Sequence, residues 1–149
     1  EKMLAFYGKD LRGKRIAVWG LAFKPNTDDI REAPSVFLIN KLLQAGAKVS
    51  AFDPKAAENV RNHFNGVANL MICDSSTAVL KNADVLAIMT EWMEFRSPDF
   101  LQLADTLRDK VIFDGRNLYA PEQVAGHGLS YLCIGRPDAL SVAVAASQA

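Results

Sequence analysis

Apolar residues along the chain gather into six short runs rich in β-branched side chains, with helix-like stretches between them. The runs are RIAVWG (15–20), KVSAFD (48–53), LMIC (70–73), VLAIMT (85–90), KVIFDG (110–115) and LSYLCIG (129–135). Each is nearly continuous rather than alternating, the pattern of a strand covered on both faces in a parallel sheet. The clearest helix follows the first run. Pro34 suits its first turn, where a missing N–H costs nothing, and Val36, Ile39, Leu42 and Leu43 form one apolar face. Gly46 ends it at the position that favours a left-handed residue. A weaker helix is predicted over Ala56–Phe64, a short one through Leu80 capped by Ser75 or Ser76, and a fourth over Asp99–Leu107. This alternation predicts right-handed crossovers and an open, mainly parallel six-stranded α/β sheet with helices on both faces.

Composition narrows the function classes. Half of the 149 residues are hydrophobic, enough for one real core. Lys plus Arg and Asp plus Glu each total 17, so the chain lacks the broad basic footprint of a nucleic-acid binder, although local basic sites remain open. Cys73 and Cys133 sit in apolar runs and read as reduced core thiols; whether they pair is left open by the sequence. His63 and His127 stand apart, and no CxxC pair points to a metal. No apolar run approaches the roughly 18 residues of a membrane span and no signal peptide opens the chain, so a cytoplasmic, membrane-free protein is expected.

The candidate chemistry lies in VWGLAFKPNTDDIREAPS (18–35). The first strand reaches Gly20 and should bend into a helix; instead it runs through charged and turn-forming residues. In an open α/β sheet, ligands bind beyond the carboxyl ends of the strands, near the point where strand order reverses. A dinucleotide site is the obvious candidate there, with Asp53 tempting as a ribose ligand. The fingerprint fails, because Leu21, Ala22 and Phe23 follow Gly20 where G-x-G-x-x-G needs glycine. Asp53 precedes Pro54 and reads equally as a turn residue or cap. The loop offers a placed cation instead. Lys24 and, from the DGRN after the fifth strand, Arg116 converge on one edge as a phosphate clamp, or else pair with Asp28, Asp29 or Asp114 as surface ion pairs. Thr27, Asp28 and Asp29 suit a turn and cap. Arg31 stands near a helix start, the wrong end for a cation, which favours a partner or ligand for it. Trp92 and Phe95 either wall the site or pack the core.

These motifs, GLAFKPNTDDIREAPS, AFDP, ADVLAIMTEWMEF and VIFDGRN, in this order and over roughly residues 13–136, resemble the C-terminal domain of the UDP-glucose/GDP-mannose dehydrogenase family. The resemblance implies oxidation of a sugar C6 alcohol to a carboxylate by two hydride transfers to NAD. It implies an N-terminal NAD-binding domain, a central helical region carrying the catalytic cysteine and lysine, and a homo-oligomer. Neither Cys73 nor Cys133 has the family's catalytic cysteine context, so no catalytic residue is expected here. The implied segments are residues 1–12, the end of an inter-domain helix; 13–136, the nucleotide-sugar-binding domain; and 137–149, a tail. By the same resemblance Phe23, Lys24 and Arg116 contact the nucleotide sugar and Arg31 reaches the NAD of the other domain. UDP-glucose is the implied substrate, with GDP-mannose or another UDP-sugar as the alternative. A stand-alone nucleotide-binding or oligomerisation module is the other class.

Overall fold

A computed structural model of the chain describes residues 2–140. Six strands form a single sheet: β1 (Arg15–Trp19), β2 (Lys48–Phe52), β3 (Leu70–Ile72), β4 (Val85–Ile88), β5 (Val111–Asp114) and β6 (Ser130–Cys133). Their order is β3-β2-β1-β4-β5-β6 and every neighbouring pair is parallel. The sheet is thus wholly parallel, and strand order reverses between β1 and β4, the place where this topology opens a crevice. Val18, Ala87 and Phe113 lie in one register row, Trp19, Ile88 and Asp114 in the next. Successive residues of a strand face opposite sides, so these rows define the two faces.

Five helices pack against it: α1 (Lys2–Tyr7), α2 (Pro34–Gln44), α3 (Ala57–His63), α4 (Phe100–Thr106) and α5 (Pro121–Gly126). On one face Phe6 of α1 meets Phe113 edge-on at 5.8 Å. On the other, Phe95 stacks on Trp19 at 5.0 Å and meets Phe52 edge-on at 6.2 Å. Both faces are therefore covered, which is why the strands can be apolar throughout. Pro34 opens α2 as predicted, Gly46 follows it at φ 95°, and Asp99 caps α4 by accepting the Gln102 N–H at 3.1 Å. The third predicted helix is only a 3₁₀ turn, Ala78–Leu80, and of the two serines Ser75 accepts the Ala78 N–H. Helix α5 was not predicted. It is six residues long and buries only Val124, too little periodicity to read.

Residues 2–12 pack into the same core. Met3 and Leu11 are buried, and Tyr7 donates to Asp109 at 2.7 Å, as does Lys14. Burial pushes the Tyr7 hydroxyl pKa far up, and the neighbouring Asp109 adds to it. Beyond β6 the chain doubles back. Tyr131 and Ala139 exchange two backbone hydrogen bonds in an antiparallel bridge. Most of the expected tail, residues 141–149, lies outside the described residues. Cys73 and Cys133 are free thiols; Cys133 is buried, but Cys73, at the end of edge strand β3, is only half-buried.

Candidate functional site at the carboxyl edge

The predicted strands end earlier than their apolar runs, and the surplus residues form the site. Gly20, Asp53, Thr90 and Gly115 each leave a strand at the same edge. The loop after β1 is held from below by one carboxylate. Asp53 is 2% exposed. Its Oδ2 accepts the backbone N–H groups of Leu21 (2.8 Å) and Ala22 (2.9 Å) and the Trp92 indole N–H (2.9 Å). Its Oδ1 accepts the N–H groups of Lys55 and Ala56, both at 2.8 Å. Two further side chains take the loop's carbonyls: Ser35 donates to Leu21 O at 2.6 Å and Thr90 to Ala22 O at 2.7 Å. Gly20 lies so close to Thr90 that an added Cβ would fall 2.5 Å from its Cβ, and its φ is 94°. Only glycine suits both the left-handed backbone and that approach.

Asp53 is therefore a turn residue and a long-range strut, with both oxygens spent on protein donors. A ribose has no place on it. Leu21 and Ala22 are buried where a pyrophosphate would need open backbone N–H groups, so the turn does not fit a dinucleotide. Trp92 and Phe95 are core residues: Trp92 serves Asp53 and Phe95 is fully buried.

Above this base the loop turns outward. Phe23 N–H donates to Asp29 O at 2.7 Å, closing residues 23–29 into a lobe, and Thr27 Oγ1 accepts the Asp29 N–H at 3.2 Å. The Phe23 ring is 46% exposed. Lys24 is exposed and, among the described residues, makes no hydrogen bond or ion pair. Asp29 is the carboxylate that feels its charge, but its carboxylate is already engaged by Arg31. Arg31 forms a forked pair with Asp29 (Nη2–Oδ2 2.8 Å, Nε–Oδ1 3.0 Å). These bonds hold the Asp29 carboxyl down at about 2. The cation at the helix start has thus found its partner two residues away. Arg31 lines a surface cavity of about 620 Å³ with Glu32, Phe37 and His63, beside α2 and away from β4 and β5.

The loop after β5 uses a second buried carboxylate. Asp114 Oδ1 accepts the Arg116 backbone N–H, and Oδ2 accepts the Leu118 N–H and the Tyr131 hydroxyl, at 2.6–2.7 Å. It does not pair with the Arg116 guanidinium. That side chain crosses to the end of β4, where Nε donates to Met89 O at 2.9 Å and lies 3.4 Å from Glu91 Oε2. Burial raises the Tyr131 hydroxyl pKa, and the bond to Asp114 raises it further. Lys24 and Arg116 thus stand at one edge, on loops from strands separated by β4 alone, about 10 Å at ordinary strand spacing.

A protein family matches this region directly. Residues 17–121 fit the UDP-glucose/GDP-mannose dehydrogenase family, UDP binding domain. The chain belongs to that family. It is 44% identical over 138 residues to the UDP-glucose 6-dehydrogenase of Rhizobium meliloti, covering 93% of this chain and 31% of that protein. Against the UDP-glucose 6-dehydrogenase of Pseudomonas aeruginosa it is 46% identical over 131 residues, covering 86% of this chain and 29% of the relative. The UDP-glucose dehydrogenase structure from Pyrobaculum islandicum superposes with a TM-score of 0.69 at 32% identity, covering 88% of this chain and 27% of the other. The UDP binding domain described here thus spans under a third of the length of the curated relatives it matches. Among its described residues, no helix is long and apolar enough to cross a membrane.

Proposed function

We propose that the chain is the nucleotide-sugar-binding domain of an NAD-dependent UDP-glucose 6-dehydrogenase, which oxidises UDP-glucose to UDP-glucuronate by two hydride transfers. The observation that carries this reading is Lys24: a cation with no hydrogen-bond or ion-pair partner among the described residues, on a loop whose base is fixed by a buried carboxylate, across β4 from Arg116. Lys24 supplies a mobile point charge and Arg116 a planar donor fork, a pairing suited to a diphosphate. The half-exposed Phe23 ring offers an apolar surface beside them.

The domain's task is binding and orientation. Energy gained on the diphosphate, far from C6, holds the alcohol in place for chemistry performed by other parts of the parent chain. In this reading NAD is bound by an N-terminal domain of the parent chain, and the buried β1 turn here supports it. Arg31 would reach that NAD through Nη1, which its bonds to Asp29 leave open. The chain alone is accordingly inactive, residues 1–12 are the end of an inter-domain helix and linker, residues 137–149 are a tail, and the parent works as a homo-oligomer in the cytoplasm.

Calorimetric titration with UDP, with GDP and NAD as controls, tests this reading. Binding of UDP alone, weakened by Lys24→Ala and Arg116→Ala, is the expected result. Equal affinity in the wild type and both variants removes the clamp.

A further inference from the structure

We propose that Glu91 is a positioning residue that aims Arg116 at the nucleotide's phosphates; the proposal rests on the reading of Arg116 as a diphosphate-binding side chain. A guanidinium can present two forks to an oxyanion, one side-on through Nε and Nη, one end-on through Nη1 and Nη2. In this protein the side-on fork is broken, because its Nε–H is already spent. Nε donates to Met89 O at 2.9 Å and faces Glu91 Oε2 at 3.4 Å. Neither terminal nitrogen makes a hydrogen bond among the described residues. The end-on fork is the free one.

The backbone fixes the other end of the same side chain. Asp114 holds the Arg116 N–H at 2.7 Å, and Gly115 N–H donates to Ile88 O at 2.9 Å. Gly115 packs so close to β4 that an added Cβ would lie 3.2 Å from Ile88 O and 3.4 Å from Met89 Sδ. The root of Arg116 is thus clamped to β4, and Glu91, two residues past Met89 on that strand's exit, completes the hold at Nε. The pair is half-buried, with 29% and 28% of the two side chains exposed, so bulk water screens it less than a surface pair.

The price of this device is a carboxylate near a site for anions, so its worth must lie in orientation rather than charge. That distinction separates two substitutions. Glu91→Gln keeps the shape of the side chain and an oxygen beside Nε but drops the charge; Glu91→Ala removes both. In a UDP titration, Glu91→Ala is expected to weaken binding about tenfold and Glu91→Gln by less than about threefold. In an Arg116→Ala background, Glu91→Ala is expected to have no further effect, because its influence passes through the arginine. A ligand-free readout accompanies it. In ¹⁵N relaxation of the arginine side chains, the Arg116 Nε–H vector is ordered in the wild type and Glu91→Gln but mobile in Glu91→Ala, at unchanged melting temperature.

An ordered Nε–H in Glu91→Ala, or additive losses in the double variant, overturns the role of Glu91. An Arg116→Ala variant that binds UDP as the wild type does, or a wild type that binds none, overturns instead the reading on which it rests.

Discussion

The loops after β1 and β5 solve one problem in two ways. Each must leave a buried strand and present a cation at the edge, and each is anchored by a buried aspartate that accepts backbone N–H groups. The β1 loop borrows its anchor: Asp53 comes from the end of β2, 32 residues beyond Leu21. The β5 loop carries its own, Asp114, only two residues before Arg116. The cations differ accordingly. Arg116 is tied at its backbone and at Nε. The lobe that carries Lys24 is tied at its base and by the Asn59 amide to Asp28 O, and the Lys24 ammonium makes no hydrogen bond or ion pair among the described residues. A rigid fork and a mobile point charge are complementary; one sets direction and the other adapts to it.

Removing the anchors tests the comparison most severely. Asp53→Ala strands five donors, four of them buried, and is expected to cost at least about 3 kcal/mol, read by chemical denaturation. Equal stability would mean the β1 loop is not built on it. Gly20→Ala comes next, because its Cβ would meet Thr90 at 2.5 Å with a φ of 94°; a loss of about 2 kcal/mol or more is expected, checked in the same way. Tyr131→Phe removes one of three donors to Asp114 and should cost about 1–2 kcal/mol, less than the loss at Asp53. Lys24→Ala leaves stability within about 0.5 kcal/mol. Its effect is on UDP binding, weakened by roughly 1.5–3 kcal/mol in calorimetry.

The smallest effect concerns Arg31. Its bonds lower the Asp29 pKa to about 2, so whatever this pair adds to stability is present above the ordinary carboxylate range and fades as pH falls toward that value. Arg31→Ala should raise the Asp29 titration, followed by carboxyl NMR, toward the ordinary range, with the residue-31 N–H still holding it somewhat down. Arg31 is exposed and Asp29 partly so, and the melting temperature at neutral pH should not move.

The sheet was legible because both its faces are covered, which leaves unbroken apolar runs, and α2 because Pro34 and Gly46 bracket it. The edge was legible only in part. Lys24 and Arg116 announce themselves as cations at strand ends. Half of Asp53's role could be read from its place before Pro54, since its bonds to Lys55 and Ala56 are local. The other half, to Leu21, Ala22 and Trp92, joins three strand ends that are far apart in sequence. Glu91 gave no sign for the same reason: its partner lies 25 residues on, and only the pairing of β4 with β5 brings them together. The pattern marks Arg31 as a cation in need of a partner or ligand, but nothing in it said that Asp29, two residues earlier, would pair with it.

The antiparallel bridge between Tyr131 and Ala139 has a consequence for how the chain behaves in a crowd. A parallel sheet has two raw edges, each a template for another molecule's strand. Here the returning chain lays its own backbone along β6 and uses up groups that a stranger would need. The opposite edge is β3, three residues long, too brief to seed a lasting ladder even with Met71 bare on its surface. Self-association through sheet growth is thus discouraged at both ends, by occupation at one and by shortness at the other.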